Sequence, residues 1–593
     1  MKDDGDLSKK NYDKIEIRDS KRYFGDAWME KRGELYVMRL KGSPYEIGYQ
    51  HGILMSQEIK QGAVKFYADP INGGRKSHSL KLWLIKQYLN KKVYNPIKKA
   101  QTQDLLEQLK GIADGSGVSN KTIFKANHHT AVTMVMTPVL IKQYLKKFNK
   151  LGIKVGGCST FVATKEATAD GKTIVGRNTD YGGIEGWPKY QTVSFVEPKN
   201  GFKYVQIGTA GIVMWAPGMN EKGIVVCAHY MIYDDIMPNG LSIAAFTDEF
   251  LRKTENLDDA LIILNKNSRG VSCGFVITDG NKKDAFAAEV STGKATIRRM
   301  ENNRVIMTNM AVSEEKRQID FVSRYNLNEG CPGRYRRLMQ LIHENYGNID
   351  VNKAAEFMGD HMRFTTGTER CAYGIVAVDD NVNSMVFSPE ELKLWIAAGP
   401  APVCNNPYIG FDFKAEMNGN QSKILSTILE GYKFENPKKR IGMQKFNQAY
   451  IIHEANPTQD DNMIHLIKEA IEQDPEEVIY YQMVAKLLLH KGSYNEAINF
   501  VENALNLKQS LNEKAHNRLL LGILYDLKGD REKALSYYHE IKELAEKESQ
   551  DPWFKINVMI ETFAQLYTQN PFTKKNLKDR TVLIDFSQGS GIE

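Results

Sequence analysis

Gly156-Gly157-Cys158-Ser159-Thr160-Phe161-Val162-Ala163, followed by Gly176-Arg177-Asn178-Thr179-Asp180-Tyr181, decides the reading of this chain. Two glycines precede a cysteine at the start of a strand-like run. Glycine tolerates the strained backbone that attack by the Cys158 thiol on the Gly157 carbonyl requires. Such an attack moves the acyl group from nitrogen to sulfur, and water then frees Cys158 with its own α-amine. That amine, with an ordinary pKa of about 8, can act as general base for the thiol beside it, so no histidine partner is needed. Arg177 and Asp180 fall 19 and 22 residues after Cys158 (177 − 158 and 180 − 158). A hairpin through Asp170-Gly171 returns them to the cysteine, where a cation lowers the thiol pKa and a carboxylate holds the new ammonium.

Outward from this point the pattern changes on both sides. Residues 1–32 are polar and are expected to form a loosely packed lead-in. After Leu35-Tyr36-Val37-Met38, the turn-like Lys41-Gly42-Ser43-Pro44 opens a helix over Tyr45 to Ile59, with Ser43 as cap and Pro44 in the first turn. From about 78 to 151 the apolar spacing is helical, and Gly111-Ile112-Ala113-Asp114-Gly115-Ser116-Gly117 reads as a loop interrupting it. From Cys158 to about 410, short β-rich runs dominate: Thr173–Val175, Thr192–Val196, Tyr204–Ile207, Ile224–Val226, Phe275–Thr278, Phe286–Val290, Val305–Thr308, Gly374–Val378 and Leu392–Ala397. Turn residues separate many of them, and helical stretches near 242–266 and 333–358 sit between strand groups. Grouped strands and helices predict a layered α+β domain.

The Cys158 segment resembles the N-terminal-nucleophile hydrolases of the acyl-coenzyme A:6-aminopenicillanic acid acyltransferase type (peptidase family C45), relatives of choloylglycine hydrolase and acid ceramidase. Their pattern of Cys, then Gly-Arg-Asn-x-Asp about twenty residues on, is met by Cys158 and Gly176-Arg177-Asn178-Thr179-Asp180. The runs Gly42-Ser43-Pro44-Tyr45-Glu46-Ile47-Gly48 with His51-Gly52, Gly111 to Gly117, and Gly218-Met219-Asn220-Glu221-Lys222-Gly223 also resemble family segments, so the likeness spans roughly residues 33–413. It implies a four-layer αββα domain, with Cys158 at one sheet's edge as nucleophile and the cut between Gly157 and Cys158. Arg177 and Asp180 would orient the thiol and amine. Asn309, in Thr308-Asn309, would donate to the oxyanion, a contribution of roughly 3–4 kcal/mol where such donors have been removed. Arg334, in Gly333-Arg334-Tyr335, resembles the family's distal arginine, with Arg324 as its competitor. Where bile-salt-type relatives place a second oxyanion asparagine, this chain has Ala228-His229-Tyr230-Met231. His229, Tyr230 or a backbone N–H is the candidate second donor.

A second boundary falls near 430–460, where prolines break the pattern, and the chain beyond is helical and repeats itself. Lys491-Gly492-Ser493-Tyr494-x-x-Ala497 is answered by Lys528-Gly529-Asp530-Arg531-x-x-Ala534, an offset of 37 residues (529 − 492). This resembles the tetratricopeptide repeat, whose usual period is about 34 residues; a generic helical bundle is the alternative. The expected division is 1–157, the small chain after cleavage; 158–430, the catalytic core; 431–460, a linker; 461–570, the repeats; and 571–593, a polar tail.

Composition excludes several classes. Seventy-nine basic and 72 acidic residues leave a net charge of only +7 without a dense basic stripe, so nucleic acid is not an expected partner. Six cysteines at 158, 227, 273, 331, 371 and 404 form no C-x-x-C pair, and those other than Cys158 read as core thiols. His128-His129 lacks metal-ligand spacing and His51 reads as a packed or capping residue, so no metal or cofactor is expected. No phosphate-cradling loop ends in Lys-Ser or Lys-Thr. There is no run of 18 apolar residues and no signal-peptide plan, so the chain as it stands reads as cytoplasmic, or as secreted or periplasmic if a leader has been removed. The expected function is self-cleavage followed by hydrolysis of an N-acyl amide, in a small molecule or peptide, through a Cys158 thioester. Transfer of the acyl group to an amine is the first alternative. The second is a catalytically vestigial scaffold whose repeats bind a protein or peptide.

Overall fold

A computed structural model describes residues 15–69, 80–136, 157–213, 217–419, 427–546 and 551–578. Gly156, the end of the helical pattern at 137–151 and most of the polar tail lie outside the described residues.

Two large sheets form the first part of the chain, beside a two-stranded ribbon of β15 (Met362–Arg363) and β16 (Thr368–Glu369). One has eleven strands in the order β1 (Glu16–Arg18), β2 (Lys21–Phe24), β3 (Ala27–Arg32), β4 (Leu35–Gly42), β7 (Gln191–Pro198), β8 (Tyr204–Thr209), β9 (Gly218–Asn220), β10 (Ile224–Tyr230), β11 (Cys273–Asp279), β12 (Asp284–Val290) and β13 (Ala295–Arg299). The other has seven, in the order β14 (Arg304–Met307), β5 (Gly157–Ala163), β6 (Ile174–Asp180), β17 (Asn381–Ser388), β18 (Lys393–Ala397), β19 (Tyr408–Asp412) and β20 (Ile428–Leu429). Alternation sorts their side chains. Val162, Val175 and Met385 of the second sheet meet Val193, Val205 and Val276 of the first in one buried layer. Phe161, Ile174 and Val386, one residue out of phase, pack outward on Leu338 and Ile342 of helix α5 (Gly330–Glu344) and Phe357 of α6 (Val351–Met358). The far face of the larger sheet carries helices α3 (Ile243–Lys253) and α4 (Leu257–Lys266), and Phe246 and Phe250 of α3 meet Phe275 tilted and edge-on.

Three expectations are corrected here. The lead-in is not loose: β1–β3 form a meander on the sheet edge, because Asp19, Ser20 and Gly25 accept positive φ at its turns and Phe24, Ala27 and Met29 are buried. Gly111 to Ser116 is not a loop but the end of helix α2 (Gln103–Ser116). Its glycines serve close packing against α1 (Pro44–Leu54). A Cβ on Gly111 would sit 2.2 Å from the Tyr45 carbonyl oxygen, and one on Gly48 2.0 Å from that of Gln108. Gly374–Val378 is buried yet irregular, since Tyr373 and Gly374 take positive φ and the Val376 carbonyl accepts the Asn178 side chain instead of a ladder partner.

The expected linker holds a nineteen-residue helix, α7 (Pro437–Ala455). Asn436 caps it and Pro437 sits in its first turn, where the missing N–H costs nothing. Then follow α8 (Asp460–Gln473), α9 (Val478–Lys491), α10 (Tyr494–Leu505), α11 (Leu511–Lys528), α12 (Arg531–Glu546) and α13 (Val558–Gln569), making the C-terminal region all-helical. Gly492 and Gly529 end α9 and α11 in the left-handed conformation, and Ala497 and Ala534 are fully buried where the next helix packs back. The helices dock on the sheet-rich domain through buried ion pairs: Arg370 with Glu477 and Glu513 at 2.8 Å each, and Arg363 with Glu513 at 2.6 Å, while Glu329 of the same domain lies 3.2 Å from Arg363.

Candidate active site

Strand register builds the site. Cys158 faces Thr179 and Thr160 faces Arg177 across the β5–β6 pair, which fixes the arginine near the cysteine by alternation alone. The edge strand β14 pairs only as far as Met307 with Thr160. Cys158 therefore lies on the second strand at the point where the edge strand's ladder has ended, and there the chain beyond β14 passes it as Thr308-Asn309.

Two arginines approach the cysteine. From the layer between the sheets, Arg177 Nη2 stands 3.0 Å from Cys158 Sγ and donates to the Ala228 carbonyl at 2.6 Å. Its Nη1 contacts Thr160 Oγ1 at 3.2 Å and His229 Nε2 at 2.9 Å. From the helix side, Arg334 Nη1 donates to the Cys158 carbonyl at 2.5 Å and to Ser159 Oγ at 2.9 Å, and lies 3.8 Å from Asp180. Both guanidinium groups are fully buried. Among the described residues no carboxylate contacts Arg177, so a thiolate at Cys158 would be its counterion. Arg324 is elsewhere, half-exposed and paired with Asp234.

Burial pushes the Cys158 thiol above its ordinary value; Arg177 and Arg334 pull it back, and Asp180 pushes it up. Burial likewise raises Asp180, against the pull of Arg334, the Asn381 amide and Arg177. Asn381 Nδ2 donates to Asp180 Oδ1 at 2.8 Å. Burial first, then Arg177, holds His229 neutral, and a ring nitrogen facing a guanidinium must accept, so its proton sits on Nδ1.

The oxyanion expectations change in detail. Asn309 Oδ1 accepts the Cys158 N–H at 2.5 Å and Arg334 Nη2 at 3.2 Å, while its N–H group is given to the Tyr230 carbonyl at 2.8 Å. In this arrangement Asn309 holds the nucleophile's nitrogen and spends one of its two amide N–H groups on Tyr230. His229 supports Arg177, and Tyr230 contributes its carbonyl. Among the described residues His229 Nδ1 makes no hydrogen bond to a side chain, and the ring interacts with the Cys158 backbone. Sequence reasoning missed Thr160 and Asn381. Thr160 was recoverable as the residue two after Cys158 on one strand face; Asn381 sits in the polar run Asp379-Asp380-Asn381 ahead of an apolar strand.

The remaining candidates are structural. His51 Nε2 accepts the Gly211 N–H at 3.0 Å, and His128 and His129 bond the Phe124 and Ala126 carbonyls through Nδ1. Among the described residues no three His, Cys, Asp or Glu side chains are placed to hold a metal ion, and no helix is long and apolar enough to cross a membrane.

Comparison with known proteins adds to this geometry. An uncharacterized protein of Archaeoglobus fulgidus is 26% identical over 424 residues, 64% of this chain and 66% of the relative's length. Among solved structures, the Caenorhabditis elegans N-acylethanolamine-hydrolyzing acid amidase (NAAA) ortholog is 16% identical with a TM-score of 0.29, covering 39% of this chain and 93% of that one. The N-terminal domain of stress-induced protein-1 (STI-1) from C. elegans is 14% identical with a TM-score of 0.19, covering 22% of this chain and 98% of that one. Residues 167–401, a span that takes in Arg177, Asp180, Asn309 and Arg334 and begins shortly after Cys158, match the acyl-coenzyme A:6-aminopenicillanic acid acyl-transferase family.

Proposed function

We propose that this chain is a cysteine N-terminal-nucleophile hydrolase of αββα architecture, with a tetratricopeptide-like helical module, that cuts itself between Gly157 and Cys158 and then cleaves an N-acyl amide. The observation that carries the reading is the convergence on one residue: Arg177 on the Cys158 sulfur at 3.0 Å, Asn309 on its nitrogen and Arg334 on its carbonyl.

In the uncut chain the Cys158 sulfur attacks the Gly157 carbonyl. The C–N bond breaks as the C–S bond forms, the former amide nitrogen takes a proton, and water hydrolyses the thioester. The freed amine remains on Asn309 Oδ1, with Asp180 on the helix side of the strand to hold its ammonium form. In turnover the amine takes the thiol proton, Arg177 stabilises the thiolate, and the sulfur attacks the substrate carbonyl. The leaving amine collects the proton, and a water activated by the same α-amine releases the acid. The second Asn309 amide N–H and His229 Nδ1–H are the donors this reading offers to the oxyanion.

Acyl transfer to an amine instead of water is a second reading, favoured by the family that residues 167–401 match. The test is incubation of cleaved protein with a panel of N-acyl amides, followed by mass analysis. The account expects an acyl adduct on the fragment that begins at Cys158, lost when Cys158 is replaced. Free acid or a new amide distinguishes hydrolysis from transfer. A panel spanning acyl amino acids, lipid amides, β-lactams and peptides with no adduct on any member would count against the reading.

A further inference from the structure

We propose that helix α7 is a clamp on Asp180, and that Asn447 and Glu454 are positioning residues for the carboxylate that faces the Cys158 amine; the inference rests on the function proposed above. Seven residues apart, Asn447 and Glu454 lie on one face of α7, two turns from each other. Each grips a different flank of Asp180. The Glu454 carboxylate accepts the N–H groups of Gly183 and Ile184 at 2.7 and 3.2 Å, three and four residues beyond Asp180. Asn447, buried, donates to the carbonyls of Asp379 and Ala401, both at 3.0 Å.

Asp379 stands two residues ahead of Asn381, the residue that pairs with Asp180 in register and bonds its Oδ1 at 2.8 Å. Between the two grips, the Tyr181 N–H crosses to the Asp380 carbonyl at 2.9 Å. One helix therefore fixes both chain segments that carry Asp180 and its amide partner. On the opposite side, Tyr67 donates to the Gly182 carbonyl at 2.6 Å. Attachment of the helical module is already supplied by the buried Arg363 and Arg370 pairs to Glu477, the cap of α9, and Glu513 on α11. The two α7 contacts add what those pairs do not, a direct hold on turns adjoining the site. A carboxylate that must meet a small ammonium group needs its main chain held to within fractions of an ångström, and both strands are pinned just past the end of the pair that carries Asp180.

The test uses the full chain in four forms: wild type, Asn447→Ala, Glu454→Ala and Glu454→Gln. Intact mass reports self-cleavage. In the cleaved protein, the rate of Cys158 alkylation by iodoacetamide is followed against pH. The charged and titratable groups around that thiol–amine couple are Arg177, Arg334, His229, Tyr181, Cys227, Cys404 and Asp180. Of these, Asp180, Tyr181 and Cys404 adjoin the segments that α7 holds, and Asp180 is the one that carries charge at neutral pH. A held carboxylate raises the midpoint of the couple, so Asn447→Ala and Glu454→Ala should shift it to lower pH by about half a unit or more. Glu454→Gln, which keeps one oxygen acceptor, should fall between. A merely adhesive role would lower the melting temperature and leave the midpoint in place. Should Glu454→Ala lack a cooperative melt, Glu454→Gln and Asn447→Ala decide. Wild type that stays uncut sinks the reading of the site and this inference with it. Cut wild type with an unmoved midpoint in all three variants overturns the clamp alone.

Discussion

His51 offers a quantitative check on how the small-chain segment is held to the rest. It lies on α1, ahead of the proposed cut, and its Nε2 accepts the N–H of Gly211, behind it. After cleavage this contact bridges two chains. Burial alone lowers His51 from 6.5 to about 4. The folded state then binds the proton less well than the unfolded one. The neutral ring contributes its full stability above the unfolded pKa, and that contribution is lost as pH falls from 6.5 toward 4. At about 1.4 kcal/mol per unit the whole effect is about 3 kcal/mol, of which about 2 kcal/mol disappears between pH 7 and pH 5. His128 and His129, lowered to about 4 and about 3, add to the wild-type loss, so a comparison is needed to isolate one residue. In urea unfolding at both pH values, His51→Gln should lose about 2 kcal/mol less than wild type between pH 7 and pH 5. Equal losses in the two proteins would refute a neutral, buried His51 as the acceptor for Gly211.

Gly111→Ala places a methyl 2.2 Å from the Tyr45 carbonyl oxygen and should cost about 3 kcal/mol, read from the urea midpoint, as the α1–α2 crossing is forced apart. Arg177→Gln removes the cation 3.0 Å from the Cys158 sulfur and should slow iodoacetamide alkylation of Cys158 at pH 7 by about tenfold or more, since burial then acts on the thiol unopposed by its nearest charge. Against burial, which raises it, Arg363 and Arg370 hold Glu513 down from 4.5 to about 2, so its contribution stands in full above the unfolded carboxylate pKa and is lost as pH falls from 4.5 through 2. Replacing it by Ala leaves two buried guanidinium groups short of a partner and should cost about 3–5 kcal/mol, seen as earlier protease access to α11 at neutral pH.

Cys158, Arg177 and Asp180 were legible in the sequence because a strand hairpin converts spacing into proximity: once Asp170-Gly171 is taken as the turn, residues 19 and 22 beyond the cysteine must return to it. Asn309 and Arg334 have no such local rule. They arrive from a neighbouring strand end and from a helix, and only the resemblance named them. The donor geometry of Asn309 was not legible, because it depends on where the Tyr230 carbonyl falls, a matter of how the two sheets stack. Glycine misled in one place: Gly111 and Gly115 read as breakers, whereas they permit two helix backbones to touch. Proline misled in another, since Pro437 starts α7 instead of interrupting a linker. The layered α+β plan was readable from grouped strands, but β1–β3 were hidden by charged residues that face water on an edge meander.

The most direct test of the account is the intact mass of the purified chain beside that of Cys158→Ala. Wild type should resolve into pieces of 157 and 436 residues (593 − 157), the larger beginning at Cys158, while the variant stays at 593. A wild-type chain that remains a single 593-residue species would contradict the claim that Cys158 supplies both thiol and base.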